Sequence, residues 1–222
     1  MLPSTMVWAA ANRFGWLGKP QIGDSPHLDD EALHCWRTAL ADASVYLEYG
    51  SGGSTVEAVK SVDHVFSVET DGRFLESVEK KVAAASDATA SFHPIHVDIG
   101  WTEKWGRPLV PWPSPRRVAK WRRYSAAPWR SLVDEKLVPD FIFIDGRFRA
   151  ASALESLLHL PENSDCLLMI DDYQPRQRQY DVVLSFASDV RPAGRALLFR
   201  RQAEFDRVEC SRLLEKFQSD PE

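Results

Sequence analysis

The sequence predicts a single α/β domain built on an open, mostly parallel sheet with helices on both faces. A chain of 222 residues is long enough for one full hydrophobic core and short for two. Along it, short apolar runs rich in branched and aromatic residues alternate with segments of helical periodicity. Such alternation favours β-α units with right-handed crossovers, in which successive strands run parallel.

The first element is predicted to be a helix over residues 28–43. Acidic residues crowd its first turn, and Leu33, Trp36 and Leu40 follow at helical spacing. Residues 1–43 are therefore interpreted as a helical cover over one face of the sheet.

The other elements follow in alternation along the chain. Five core strands are predicted at residues 45–49, 65–69, 95–99, 141–145 and 167–171. Helical patterns occupy most of the gaps, at residues 55–60, 72–85, 150–158 and 180–188. Residues 196–201 are expected to form a late strand at the edge of the sheet.

One segment, residues 101–130, departs from this alternation. It holds five of the eight tryptophans and eight basic residues against the single acid Glu103. We interpret it as an insertion into the single domain 1–222. It is expected to be extended at residues 108–113 and helical from Ser114 and Pro115, because Ser suits an N-cap and Pro the first helical position.

Composition excludes several functional classes. A hydrophobic share of 44% and a charged share of 27% are typical of a soluble globular protein, and the net charge of −5 disfavours a dedicated nucleic-acid binder. Cys35, Cys166 and Cys210 lack the spacing of a zinc site or a disulfide framework, so a reducing, cytoplasmic location is expected. No apolar run approaches the ~18 residues of a membrane span, so no membrane partner is expected.

A glycine-rich turn over residues 47–55 carries the first functional signal. Its glycines permit a tight strand-to-helix turn on which a ligand can lie against bare backbone. Glu48 stands two residues before the first glycine, and Glu69 stands at the tip of the next predicted strand. A carboxylate at that tip is placed to accept hydrogen bonds from ribose hydroxyls, so the pattern indicates a nucleoside site.

Two known phosphate-binding motifs can be excluded because this segment lacks residues that they require. A dinucleotide fingerprint expects a third glycine where this chain has Thr55, and a P-loop expects a lysine that is absent. A phosphate would also be repelled by Glu48, which instead suits a ligand with a positive charge, such as an amino-acid moiety or a sulfonium.

These residues resemble the class I S-adenosylmethionine-dependent methyltransferases. The run Glu48-x-Gly50-x-Gly52-Gly53-Ser54, with Glu69, is similar to their first two motifs. Residues 141–146 (FIFIDG) and 168–173 (LMIDDY) resemble the fourth and fifth strand ends of a subgroup that includes small-molecule O-methyltransferases. Over residues 45–173, the resemblance implies a Rossmann-like domain with seven strands in the order 3-2-1-4-5-7-6, the last antiparallel.

The resemblance also implies roles for individual residues. Glu48 and the glycine-loop backbone would contact the methionine part of the cofactor, Glu69 the ribose, and Asp98 with Ile99 the adenine. Asp98 as a plain loop carboxylate remains an open alternative. The predicted cofactor-binding set is thus Glu48, Gly50, Ser51, Gly52, Gly53, Ser54, Glu69, Asp98 and Ile99.

Asp145 is the predicted catalytic residue, because the resemblance places it in the cleft where the methyl group leaves sulfur. Many relatives carry a histidine after Asp-Gly-x, whereas this chain has Arg147, Phe148 and Arg149. A histidine base is therefore not predicted at that position.

Asp145, Asp171 and Asp172 are expected to meet at one rim of the sheet. Three crowded carboxylates repel one another unless a cation or protons offset their charge, so a site for Mg²⁺ or another divalent cation is one hypothesis. The other is that Asp171 or Asp172 caps the following segment or pairs with one of the arginines Arg147, Arg149, Arg176 and Arg178.

The sequence therefore predicts an S-adenosylmethionine-dependent methyltransferase acting on oxygen or nitrogen of a small-molecule acceptor. The arginines and aromatic rings of residues 101–130 suit an anionic or planar acceptor. Two alternatives stay open: a non-catalytic nucleoside-binding protein, and a nucleic-acid-binding module that uses the same basic, tryptophan-rich segment.

Overall fold

The computed structural model describes residues 4–221 and contains a seven-stranded sheet in the order β3-β2-β1-β4-β5-β7-β6. Strands β1 to β5 run parallel where they pair, and β7 is antiparallel to both β5 and β6. The predicted fold class and strand order are confirmed. The strands are β1 Val45–Tyr49, β2 His64–Glu69, β3 Ser91–His96, β4 Phe141–Ile144, β5 Leu167–Ile170, β6 Ala187–Ala193 and β7 Ala196–Arg201.

Helices cover both faces of the sheet. One core cluster joins the sheet to α2, α3 and α4, and the other joins it to α5, α6 and α8. No helix within residues 4–221 is long and apolar enough to cross a membrane. The helices are α1 Ser4–Arg13, α2 Asp30–Ala41, α3 Gly53–Ala58, α4 Gly72–Ala84, α5 Pro115–Glu135, α6 Arg149–His159, α7 Gln177–Tyr180 and α8 Arg207–Phe217.

Side-chain caps fix the start of four of these helices, α2, α4, α5 and α8. Asp29 accepts a hydrogen bond from the Ala32 amide at 3.0 Å and begins α2. Asp71 caps α4 in the same way, and Ser114 caps α5 directly before a proline at the first helical position. The helix starts predicted near residues 28 and 114 therefore follow from local hydrogen bonding.

The third strand lies earlier in the chain than predicted. It spans Ser91–His96 rather than residues 95–99, with Pro94 near its middle. Since β3 is an edge strand, Pro94 and the polar residues beside it are tolerated there. The apolar residues Val97 and Ile99 are buried just beyond the strand, which explains why alternation pointed to the later segment.

The C-terminal part of the sheet also differs from the prediction. Residues 180–188 were expected to be helical, but a 3₁₀ helix over Asp181–Phe186 leads directly into β6. The strand at Ala196–Arg201 has the predicted bounds, yet it lies between β5 and β6. The edge strand on this side of the sheet is β6, which carries a register shift and Pro192, two features that edge strands accommodate.

The segment 101–130 divides into two parts. Residues 101–114 form a loop that contains a 3₁₀ turn at Lys104–Gly106. From Pro115 the chain forms α5, which connects β3 to β4 and buries Trp121 and Trp129 against the sheet. The loop alone projects from the regular fold.

Candidate functional site

The carboxyl ends of the central strands meet at one rim of the sheet. The Gly50 amide donates to the Val68 carbonyl at 2.8 Å, and the Asp145 amide donates to the Tyr49 carbonyl at 2.9 Å. These bonds extend the ladder past the strand ends, so the segments that follow β1, β2 and β4 begin side by side. Ligands of open α/β sheets bind at such a rim.

Two glycines allow the segments after β1 and β4 to touch. Gly50 has a φ of +103°, and a Cβ there would lie 2.8 Å from the Gly146 Cα. A Cβ on Gly146 would lie 2.0 Å from the Tyr124 hydroxyl and 2.9 Å from the Gly50 amide nitrogen. Real side-chain carbons do not approach this closely, so both positions require glycine.

Glu48 lies beneath the glycine loop, with no exposed surface. Its carboxylate accepts hydrogen bonds from Ser54 and Ser67 at 2.6 Å each, from Tyr46 at 3.1 Å, and from Thr55. Burial raises the pKa of Glu48, and these hydroxyl donors act in the opposite direction. Glu48 therefore ties β1, β2 and the start of α3 together from inside the protein.

Glu69 is half-buried at the end of β2, and its two carboxylate oxygens have different surroundings. Oε1 accepts from the amides of Thr70 at 2.6 Å and Asp71 at 2.9 Å, and from the Thr70 hydroxyl at 3.0 Å. Oε2 accepts only a long bond of 3.3 Å from the Ser51 amide. Burial raises the pKa of Glu69, and the amide donors hold the carboxylate in place. Oε2 keeps capacity for a further donor.

The rest of the glycine loop is fixed on one side and open on the other. The Ser51 hydroxyl lies 2.6 Å from that of Ser67, and the Gly52 amide donates to Thr55 at 2.9 Å. A Cβ on Gly53 would lie 2.0 Å from the Ser25 carbonyl, whereas a Cβ on Gly52 would meet nothing within 4 Å. The open side at Gly52 leaves room for a ligand.

Asp98 and Ile99 follow β3 but differ in exposure. Asp98 is exposed, accepts a hydrogen bond from the Gly100 amide at 2.9 Å and pairs with Lys120 at 3.0 Å. The hydrogen bond from the Gly100 amide, followed by that from Lys120, lowers the pKa of Asp98. The Ile99 side chain is buried in the core, and its carbonyl accepts from the Trp121 indole at 3.2 Å. An adenine contact at this point would involve Asp98 or the backbone, not the Ile99 side chain.

The three predicted rim acids lie together and are held by arginines. Arg149, only 3% exposed, donates to the Asp145 carboxylate at 2.9 Å and to Asp172 at 3.3 Å. Arg195 donates two hydrogen bonds of 2.8 Å to the Asp171 carboxylate. Asp172 adopts a φ of +53°, which turns the chain at this rim.

This pairing does not fit a divalent-cation site. Among residues 4–221, no group of three or more His, Cys, Asp or Glu side chains is arranged to hold a metal ion. The carboxylate oxygens of Asp145, Asp171 and Asp172 are already directed at guanidinium groups, which supply the offsetting charge. The arrangement matches the arginine-pairing hypothesis: Asp172 pairs with Arg149 and Arg176 from the expected set, whereas Asp171 pairs with Arg195, which is outside it.

Arg195 is a site residue that sequence reasoning missed. It lies in the turn between β6 and β7, 24 residues from Asp171, and its amide donates to Asp29 at 2.9 Å. Because β7 runs antiparallel to β5, the residues before β7 lie beside the end of β5. The strand order implied by the resemblance places the last strand in chain order beside β5, so it could have indicated a residue from the β6–β7 turn at this rim. The interpretation of residues 196–201 as an edge strand led away from that conclusion.

The carboxyl group of Asp145 has a strongly raised pKa. Its enclosure raises its pKa to about 7; Arg149 opposes this shift, and the neighbouring Asp171 and Asp172 add to it. A carboxyl group with a pKa near neutrality exchanges protons readily under physiological conditions.

The loop 101–114 lies against this rim at the ends of β2 and β4. A Cβ on Gly106 would lie 2.6 Å from the Thr70 hydroxyl, 3.7 Å from Glu69 Oε1 and 3.8 Å from the Arg147 side chain. The turn at Lys104–Gly106 therefore lies against the ends of both β2 and β4. Helix α1 approaches from the same side, since Asn12 donates to Asp71 at 2.6 Å.

The sheet order is that of the class I methyltransferase fold, and the glycine loop and the rim acids lie at the ends of its central strands. Comparison with solved structures agrees. A methyltransferase-like protein from Silicibacter pomeroyi DSS-3 is 29% identical and superposes with a TM-score of 0.77, covering 90% of this chain and 100% of that one. The chain has the fold of the class I methyltransferases and is similar in sequence to this methyltransferase-like protein.

More distant structures share the fold alone. An O-methyltransferase of tomaymycin synthesis from Streptomyces achromogenes, solved with S-adenosylmethionine, is 13% identical with a TM-score of 0.51, over 90% of this chain and 100% of that one. An O-methyltransferase from Bacillus cereus, solved with S-adenosylhomocysteine, is 11% identical with a TM-score of 0.51, over 89% and 100%. No family model and no curated protein matches the chain.

Proposed function

We propose that this protein transfers a methyl group from S-adenosylmethionine to an oxygen or nitrogen atom of a small-molecule acceptor. The observation that carries the proposal is the glycine loop, held from beneath by Glu48 and facing Glu69 Oε2, which keeps capacity for a further donor. An open strip of backbone beside a half-buried carboxylate suits a nucleoside with a neutral or cationic tail.

The proposed cofactor contacts follow from the exposure of each residue. The backbone of residues 50–54 faces the methionine part, with Gly52 leaving the space for it. Glu69 Oε2 accepts from a ribose hydroxyl, and Asp98 lies on the adenine side. Glu48 is assigned a positioning role, because its oxygens are engaged by four protein hydroxyls and it has no exposed surface.

The chemistry asks for alignment and for the removal of one proton. The acceptor atom attacks the sulfonium methyl in line, a bond from carbon to the acceptor forms as the carbon–sulfur bond breaks, and S-adenosylhomocysteine leaves. The acceptor loses its proton to a base. Asp145 is the proposed base, since its pKa of about 7 allows it to accept a proton at neutral pH.

Arg149 is proposed to position Asp145. Its guanidinium donates to the Asp145 carboxylate and carbonyl and to the Asp171 carbonyl, so the acid is oriented from inside the protein. Its positive charge also opposes the rise in the pKa of Asp145.

A second candidate, a non-catalytic nucleoside-binding protein, is favoured by two observations at Asp145. Asp145 Oδ1 accepts a 2.9 Å hydrogen bond from Arg149, and no histidine follows at the position where many relatives carry one, so the site has less basic capacity than theirs. Such a protein would bind the cofactor through the same loop without turnover.

A labelled-methyl assay separates the two candidates. Incubation with S-adenosylmethionine labelled in the methyl group and a panel of hydroxylated and amino-bearing small molecules is expected to yield a labelled product and S-adenosylhomocysteine. Asp145→Asn should suppress product formation while leaving S-adenosylhomocysteine binding nearly unchanged. Cofactor binding without any product across the panel would favour the non-catalytic protein.

A further inference from the structure

A cavity of about 390 Å³ lies between α1 and the loop 101–114. Trp8 from α1 faces it from one side, and Glu103, Lys104, Trp105 and Arg107 contribute from the loop. We call this space the Trp8–Trp105 cavity. Its volume lies within the range of small-molecule sites, roughly 300–1,000 Å³.

The loop side of this cavity is held by its own backbone. The Glu103 amide donates to the Arg107 carbonyl at 2.7 Å, and the Leu109 amide donates to the Trp101 carbonyl at 2.8 Å. Thr102 and Pro108 form an antiparallel bridge between these bonds. Residues 101–109 thus form a closed hairpin-like structure with the 3₁₀ turn at its tip.

Trp105 at this tip combines backbone strain with exposure. Its φ of +65° lies in the left-handed region, which large side chains rarely adopt, and its indole is 86% exposed. Neither feature is explained by packing in the core. Strained residues cluster where a protein contacts ligands, and an exposed indole at the mouth of a cavity is suited to such contact.

The charges around the cavity favour an anion. Lys104 and Arg107 contribute two cations against the single carboxylate of Glu103, and neither cation has an ion-pair partner among the described residues. By contrast, Lys120 on the neighbouring helix is paired with Asp98.

The cavity adjoins the proposed cofactor rim. Gly106, which follows Trp105 directly, approaches Thr70 and Glu69 so closely that a Cβ on it would lie 2.6 Å from the Thr70 hydroxyl. A molecule held by Trp105 therefore lies beside the end of β2.

We infer that the Trp8–Trp105 cavity binds a planar aromatic acid, with its ring against the two indoles and its carboxylate at Lys104 and Arg107. The inference rests on the proposed function in one respect, that this acid is the methyl acceptor. Indole faces contribute ring contacts, while the two cations distinguish an acid from an uncharged analogue of the same shape.

Isothermal calorimetry on the full chain tests the binding step with hydroxynaphthoate and its uncharged carboxamide. The acid is expected to bind more tightly than the amide, and the difference should shrink as salt is added. Trp105→Ala should weaken binding of both about tenfold, whereas Lys104→Gln with Arg107→Gln should weaken binding of the acid alone about tenfold. Trp112→Ala is the matched control, because Trp112 is 70% exposed on the same loop and lies outside the cavity lining; it should change neither affinity.

Titration with S-adenosylhomocysteine in the same protein separates this inference from the proposed function. If S-adenosylhomocysteine binds and the acid shows no advantage over the amide, the cavity assignment is wrong and the methyltransferase proposal stands. If the acid binds as described and S-adenosylhomocysteine does not, the cavity assignment stands and the methyltransferase proposal fails. If oligothymidylate competes with the acid for the cavity and binds more tightly than the acid does, the cavity is a nucleic-acid site and the small-molecule assignment is wrong.

Discussion

Glu69→Gln is a sharp perturbation of the proposed cofactor site, because the two oxygens of Glu69 are used so differently. Oε1 accepts three protein donors, so a glutamine is expected to keep its own oxygen in that position. Its amide nitrogen then replaces Oε2, beside the Ser51 amide and at the place proposed for a ribose hydroxyl. The substitution preserves volume and exchanges one charged acceptor for a donor.

The expected magnitude follows from this exchange. A hydrogen bond to a charged group contributes about 1.5–3 kcal/mol, so loss of one ribose bond should weaken S-adenosylhomocysteine binding roughly 10- to 150-fold. The protein without ligand loses only the 3.3 Å bond from the Ser51 amide. Its free energy of unfolding should therefore fall by only about 1 kcal/mol.

The assay is calorimetric titration with S-adenosylhomocysteine, accompanied by urea unfolding of the free protein. Glu76→Gln is the control, because Glu76 is an exposed residue of α4 paired only with Lys80, and it should leave the affinity unchanged. Wild-type affinity in Glu69→Gln, with the fold intact, would refute the assignment of the ribose to Glu69.

Three further predictions concern the rim. Gly146→Ala should lower the free energy of unfolding by about 1–3 kcal/mol in urea titrations, and adding Tyr124→Phe should restore part of the loss, because the new Cβ meets the Tyr124 hydroxyl; no recovery would exclude that contact as the cause. Methyl transfer should rise with pH through about 7, since a base acts when deprotonated, and Asp145→Asn should flatten this pH–rate profile; a flat wild-type profile would exclude Asp145 as the base. Turnover should be unchanged in excess chelator, because Arg149 and Arg195 hold the rim carboxylates; loss that added Mg²⁺ restores would contradict this pairing.

Local patterning was sufficient to predict the inner strands. β1, which is apolar except for Glu48, and β4 are buried along their whole length, and the five residues of β1 match the predicted segment. Edge strands carry a weaker signal, because only part of their surface is buried. Ser91–His96 and Ala187–Ala193 both contain proline and exposed polar residues, and both were missed or displaced for that reason.

The location of the site was predictable, but most of its contacts were not. Acids at the ends of parallel strands meet at one rim whatever their partners, so Glu69, Asp145 and Asp171 could be grouped from sequence. The burial of Glu48 depends on the strand register that places it opposite Ser67. The ion pair of Asp171 depends on Arg195, which lies in the turn between β6 and β7. Neither contact follows from residue spacing.

The central claim is that the glycine loop and Glu69 bind S-adenosylmethionine, and parallel calorimetric titration of the wild-type protein tests it most directly. S-adenosylmethionine and S-adenosylhomocysteine should each bind at one site per chain, and NAD should show no heat of binding, because the loop lacks the third glycine of a dinucleotide site. At a hundredfold excess over its dissociation constant, S-adenosylhomocysteine should also stabilise the fold by about 2.7 kcal/mol. Binding of NAD with no binding of either sulfur nucleoside would contradict the claim.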